Sequence, residues 1–244
     1  MPKPTCFCDL IGRFGNILFI YAHARAYCEQ HGYELAIPPN VVEKVFDVPL
    51  CNRTPKNQCT VRLEEDTRQR QECLIYTRSQ VKEWLRIKPE VLEMLKPITE
   101  NRKPVLLDIR RGHDYIGAGL VSLGLRCYVE AAEQRGYSAY DCEWEIDTSP
   151  TRMDCFTGDV TAAGLGTTWV SLPAFYRMMT AKVHFRANST FSFWAATLGN
   201  AEVYSPVIRG MMGGIPDQHC TNWVQGNWPA PSANHPNTDL HLNP

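Results

Sequence analysis

The chain has no apolar run long enough to cross a bilayer as a helix. Its first residues, Met1-Pro2-Lys3-Pro4-Thr5-Cys6-Phe7-Cys8, lack the apolar stretch of a signal peptide, which sets the expectation of a cytoplasmic protein. It has almost no net charge: 25 basic against 26 acidic side chains leave −1. No global basic field therefore argues for nucleic acid, and an anionic partner would be small and met locally. Ten cysteines include no Cys-x-x-Cys pair, and Cys6-x-Cys8 has no Cys or His partner at zinc-site spacing. They read as reduced thiols, with a Cys51–Cys59 disulfide as the lesser alternative. No internal repeat is present, and no Gly-x-Gly-x-x-Gly dinucleotide fingerprint. Asn52-Arg53-Thr54 and Asn188-Ser189-Thr190 match the glycosylation sequon, which without a secretory signal reads as chance.

What is present is an ordinary globular composition, 44% hydrophobic and 21% charged over 244 residues. That length fits one large domain or two small ones. Cys6–Ile11 reads as a strand, Gly12–Asn16 as a turn, and the following residues to about His31 as a helix capped by Gly32. Tyr33–Ile37 is a second strand, halted by Pro38-Pro39. This is the opening of a βαβ unit. Residues 40 to 78 show no clean period. Gln80–Leu95 has helical spacing, with Pro89 set to kink or split it. Pro97–Pro104 reads as a linker. Beyond it, strands are expected at Val105–Ile109, Glu143–Ile146, Asp154–Thr157, Val183–Ala187 and Ala201–Tyr204, the last closed by Pro206. Helices are expected at Val121–Arg135, Leu172–Met179 and Phe191–Leu198. The expected organisation is a first lobe over 1–100, a second over 101–209, and a segment over 210–244 that wraps over the body.

Three stretches carry chemistry. In Val105-Leu106-Leu107-Asp108-Ile109-Arg110-Arg111-Gly112-His113-Asp114-Tyr115, an apolar run ends in two arginines, a glycine, a histidine and an acid. Ligands of open α/β sheets bind beyond the carboxyl ends of strands, and a guanidinium there suits phosphate through two parallel hydrogen bonds. Solvated turn arginines are the competing reading. Gly12-Arg13-Phe14-Gly15-Asn16 opens a helix after a strand, so its amides can meet an anion or a sugar hydroxyl. Asn16 is either the helix N-cap or a ligand contact. Ala187-Asn188-Ser189-Thr190-Phe191-Ser192-Phe193-Trp194 delivers small polar residues to a helix start, an uncharged anion cradle or a plain capping turn. Trp194 is expected in the core, and Phe191 to divide its surface between core and ligand.

These three pieces occur in a fixed order. With Tyr21-Ala22-x-Ala24-Arg25-Ala26 after the first and Ala195-Ala196-x-Leu198-Gly199 after the third, they resemble the fucosyltransferase superfamily that uses GDP-fucose. The nearest likeness is to the α-1,2-fucosyltransferases of glycosyltransferase family 11, and Gly-Arg-Phe-Gly-Asn also resembles the protein O-fucosyltransferases. Residues 40 to 100 and 210 to 244 lie outside the likeness. The resemblance implies an α/β fold, GT-B-like, with two Rossmann-type lobes, the first reduced, and a cleft between them. It implies inverting transfer of fucose from GDP-fucose to a glycan hydroxyl, with no metal and no further cofactor. Arg110 would stabilise departing GDP, and Arg111 would hold the nucleotide or the local fold. Asn16 would face sugar or acceptor, and Arg13 would bind the donor. Asn188, Ser189, Thr190 and Phe191 would contact phosphate and nucleoside, and Asp159 would lie near the base. The family motif usually reads His-x-Arg-Arg-Gly-Asp-Tyr; here Asp108 occupies the histidine position and His113 is inserted before Asp114. Asp108 either pairs with an arginine or is buried at the sheet edge. His113 is either a surface-loop histidine or, like Asp114, a candidate general base. These departures keep open a non-catalytic GDP-sugar or glycan-binding protein of the same fold. A transferase for another nucleotide sugar is a third reading.

Overall fold

The computed structural model describes residues 3–63, 73–100, 102–110, 123–147, 172–207 and 222–226. The chain divides into two units, with the boundary between Met94 and Leu95.

In the first unit, strands β1 (Thr5–Phe7), β2 (Glu34–Ala36) and β3 (Val61–Arg62) form a parallel sheet in the order β2-β1-β3. The helix joining β1 to β2, α1 (Phe14–His31), is buried along most of its length by Ile17, Leu18, Phe19, Ile20, Tyr21 and Ala22. It ends where sequence places its stop: Gly32 adopts φ +72, the left-handed C-cap conformation that favours glycine. Helix α2 (Val41–Val45) starts at Asn40, whose side chain accepts from the amides of Val42 and Glu43. The expected helix over 80–95 is split as Pro89 requires. α3 (Arg78–Trp84) carries a reciprocal Thr77–Gln80 capping box, and α4 (Pro89–Leu95) begins with the proline at its first position.

The second unit holds β4 (Val105–Arg110), α5 (Leu125–Glu133), β5 (Cys142–Asp147), α6 (Leu172–Thr180), β6 (Val183–Phe185), α7 (Thr190–Leu198), β7 (Glu202–Val207) and β8 (Asn222–Gln225). The strands run in the order β5-β4-β6-β7-β8, parallel except for the antiparallel β8. Strand alternation assigns the faces. Val105, Leu107, Ile109, Val183 and Phe185 point to one side and pack with Tyr128, Ala131 and Ala132 of α5 and with Trp223. Phe185 is the centre of an aromatic cluster, stacked on Tyr204 at 4.9 Å and edge-on to Trp223 at 5.6 Å and Tyr137 at 6.3 Å. The other face carries Leu106, Asp108, Arg110 and His184 and receives α6 and α7. Gly199 closes α7 against the backbone of Met179, where a Cβ would sit 2.9 Å from the Met179 Cα.

Several expectations need adjustment. Pro206 does not end its strand but pairs with Trp223 of β8. It lies past Tyr204, the last residue that β6 pairs, so its missing N–H costs no bond on that side. β3 was not anticipated, because two residues give no period. Cys51 and Cys59 are free thiols, each directed at backbone carbonyls, and not a disulfide. The expected strand Asp154–Thr157 lies outside the described residues.

Candidate functional site

The strand order of the second unit fixes where a ligand site forms. β4 lies between β5 and β6, and the connections leaving β4 and β6 run over opposite faces. The carboxyl ends of β4 and β6 are therefore the switch point at which open α/β sheets bind ligands. Arg110 is the last residue of β4, and the Ala187–Thr190 turn follows β6 directly. Two of the three stretches singled out by sequence thus share one edge of one sheet.

The turn is built as an N-terminal cap. Ser189 is extended (φ −141, ψ 152) and accepts from the amide of Ser192 at 3.1 Å, while its carbonyl accepts from Phe193 at 2.9 Å. An accepting hydroxyl keeps its own proton to donate. The first-turn amides of α7 point out of the helix end, the direction from which an anion is met. Asn188, Thr190 and Phe191 are half-buried. Phe191 packs edge-on to Phe175 of α6 at 5.1 Å, so part of its surface belongs to the core. Trp194 is fully buried, as its helical spacing suggests.

Beneath this edge lies a row of buried polar side chains that the sequence did not reveal as a group. The register aligns Glu145 of β5 with Asp108 of β4, and one step past the paired residues of β6 brings Arg186 into the same row. Asp108 is 5% exposed and its Oδ2 accepts the Ala187 N–H at 3.1 Å. The Nε2 of fully buried His184 lies 3.7 Å from the same oxygen and 3.5 Å from Ser192 Oγ. Of the two options for Asp108, the structure shows a carboxylate buried in the sheet. Arg186 is buried too, and donates from Nε to Ser205 Oγ at 2.7 Å and from Nη1 to the Ala187 carbonyl at 2.9 Å. A lone Arg in Val-His-Phe-Arg-Ala was the available signal for this row.

At the β5 end of the row, Arg177 of α6 makes a two-pronged pair with Glu145, Nε to Oε2 at 2.7 Å and Nη2 to Oε1 at 2.9 Å. Burial pushes the Glu145 carboxyl above its ordinary range, and the Arg177 charge and hydrogen bonds oppose that rise. A raised folded-state value means that stability is gained on protonation, so it is present at low pH and lost as pH rises through that value. Arg177→Met should cost about 2 kcal/mol near neutral pH by stranding a part-buried carboxylate. That penalty should shrink as pH falls, because a protonated Glu145 needs no cation. Urea titrations of both proteins from pH 7 to 4 check it.

In the first unit, β1 lies between β2 and β3, so the Gly12–Asn16 segment leaves the corresponding edge of that smaller sheet. Helix α1 begins earlier than sequence suggests. Arg13 takes the N-cap position (φ −93, ψ 173) with no side-chain cap bond, and Asn16 falls inside the first turn. Asn16 is thus not the N-cap. Its amide folds back over Gly12, which has φ +84 and whose Cβ, if present, would lie 2.7 Å from Asn16 Nδ2. Arg111, His113, Asp114 and Asp159 lie outside the described residues. Among the described residues, no helix is long and apolar enough to cross a membrane, and no cluster of His, Cys, Asp or Glu could hold a metal ion.

No protein-family model and no curated protein matches the sequence. Solved structures do match. A NodZ alpha-1,6-fucosyltransferase soaked with GDP-fucose superposes with a TM-score of 0.51 at 11% identity, covering 92% of this chain and 99% of that one. The chain shares its GT-B-like α/β fold. Two further structures of fucosyltransferase NodZ from Bradyrhizobium are also similar. One has a TM-score of 0.47 at 13% identity, over 84% of this chain and 96% of that one. The other, a selenomethionine form, has a TM-score of 0.48 at 12% identity, over 93% and 99%. At these identities the likeness is one of fold, and a fold does not by itself fix the chemistry of a site.

Proposed function

We propose that the chain is a glycosyltransferase that moves fucose from GDP-fucose to a glycan hydroxyl, with inversion and without a metal. The observation that carries this reading is the convergence of Arg110 and the Ser189–Thr190 turn on one switch-point edge. One supplies a fixed cation and the other an uncharged set of donors, which is what a diphosphate takes. The fold shared with a fucosyltransferase supports the class of reaction.

In the proposed reaction the acceptor oxygen bonds to the anomeric carbon from the face opposite GDP. The glycosidic C–O bond breaks with its electron pair passing to the β-phosphate oxygen, and the acceptor proton passes to a base, His113 or Asp114. Negative charge grows on the diphosphate as that bond breaks. A guanidinium fixed at the end of β4 is then worth more to the transition state than to bound substrate. Arg110 so takes the place that a divalent cation has in metal-dependent transferases. Arg111, Asn188, Ser189, Thr190, Phe191 and Arg13 would hold the nucleotide sugar, with Asp159 near the base, and Asn16 would meet sugar or acceptor. The sequence motifs favour an α-1,2 linkage, whereas the solved neighbour is an alpha-1,6 enzyme.

GDP release from GDP-fucose in the presence of glycan acceptors tests the reading, and linkage analysis of the product decides between α-1,2 and α-1,6. GDP-fucose should raise the melting temperature more than GDP-mannose or UDP-sugars do. Stabilisation by GDP-fucose without turnover would favour the non-catalytic binding protein, for which Asp108 at the family's histidine position speaks. Greater stabilisation by another nucleotide sugar would reassign the donor.

A further inference from the structure

We propose that Asp108 is a positioning residue of the nucleotide site, holding the Ala187–Thr190 turn in register with Arg110. This rests on the functional reading above and deepens it. A buried carboxylate is costly unless hydrogen-bonded or paired, and an apolar side chain of similar size would fill the same space at less cost. Its place in the network shows what it holds. Asp108 accepts from the Ala187 N–H, while Arg186 donates to the Ala187 carbonyl, so the two peptide units on either side of the Ala187 Cα are each held by a buried ionisable group. Beside the same carboxylate, at 3.7 Å, His184 Nε2 meets Ser192 Oγ at 3.5 Å, and the Ser192 amide donates to the capping hydroxyl of Ser189.

The other end of the lever is Arg110. It lies two residues beyond Asp108 on the same strand, so both side chains leave the same face of the sheet. Asp108 is thus the point where the strand bearing the cation and the turn bearing the helix-end donors are tied together. Two-pronged phosphate binding tolerates little error in such a spacing. A histidine at position 108, as in the family motif, carries no carboxylate. Here the carboxylate is on β4 and the imidazole on the neighbouring β6. Asp108 does not reach the ligand itself; it acts through the turn.

The test compares Asp108→Ala with Asp108→Asn in the full chain. Asparagine keeps an oxygen for the Ala187 amide, and alanine keeps none. Asp108→Ala should weaken GDP binding, read by calorimetry, about ten-fold or more, the equivalent of one lost hydrogen bond to a charged group. It should also speed hydrogen exchange over residues 187–192 in the free protein. Asp108→Asn should return affinity to within about three-fold of wild type. In turnover, Asp108→Ala and Arg110→Ala combined should lose less than the product of their separate losses. Val183→Ala, on the opposite face of the sheet, serves as the destabilised control and should bind GDP as wild type does. If Asp108→Ala folds poorly, His184→Gln supplies the same readouts with a smaller expected loss. Wild-type GDP affinity in Asp108→Ala, or equal loss in the alanine and asparagine variants, would overturn the proposal alone. A wild-type protein that binds no GDP would overturn the functional reading instead, and the exchange rates would still decide whether Asp108 holds the turn.

Discussion

Arg110→Ala should lower GDP-fucose turnover by about 10²–10³-fold, or about 3–4 kcal/mol of transition-state stabilisation. The reason is the position of the side chain as much as its charge. Arg110 is the last residue of β4 and half-buried, with its Nε fully enclosed, so the protein holds the base of the guanidinium in place. A cation held in place needs no reorganisation when charge develops on the leaving diphosphate. Most of the loss should fall on kcat, because the developing charge belongs to the transition state and not to bound GDP-fucose. Arg110→Lys should recover only part of it, since an ammonium is a point charge without the planar fork that meets two oxygens together. The variant should remain folded, because the backbone pairing of β4 with its neighbours is kept. Steady-state kinetics beside a thermal melt check both halves. Equal GDP release by wild type and variant would remove Arg110 from the reaction.

Phe185→Ala should have the largest effect on stability, about 3–5 kcal/mol. Phe185 is fully buried in the middle of the second unit's sheet. Its ring contacts Tyr204, Trp223 and Tyr137 in one stacked and two edge-on arrangements. The Arg135 guanidinium lies 4.4 Å from the Tyr204 ring centre and donates to the Trp223 carbonyl, closing the cluster from outside. Three strands and a helix cannot all shift inward to fill the space of one ring, so most of the cavity would persist. Chemical denaturation measures the loss. Substrate affinity extrapolated to fully folded protein should stay near wild type, since Phe185 faces away from the row beneath the site.

The parts of this fold that sequence revealed are those with a local signature. β4 was legible because an apolar run stops at a pair of arginines, and the α7 start because the small polar residues Asn188, Ser189 and Thr190 lead into an apolar helix. Gly32 and Pro89 marked a helix end and a helix break because their backbone preferences act locally. The polar row was not legible, since Asp108, His184 and Arg186 come from strands far apart in sequence. Only the parallel register of β4 and β6 brings them together. Asn16 lies three residues past the cap: it is a favoured cap residue, yet Arg13 takes the cap position. Pro206 looked like a terminator because the antiparallel partner that accommodates it, β8, lies some sixteen residues further on. At Pro206 a tertiary pairing overrode a sound local preference.

In the proposed function, one edge of the second sheet binds a diphosphate between a strand-end arginine and a helix-start turn. A crystal structure of the complex with GDP tests it most directly. Both phosphates should lie at the carboxyl ends of β4 and β6, with the Arg110 guanidinium and the Ser189–Thr190 turn each within hydrogen-bond distance. A diphosphate bound elsewhere, or one meeting neither group, would contradict it.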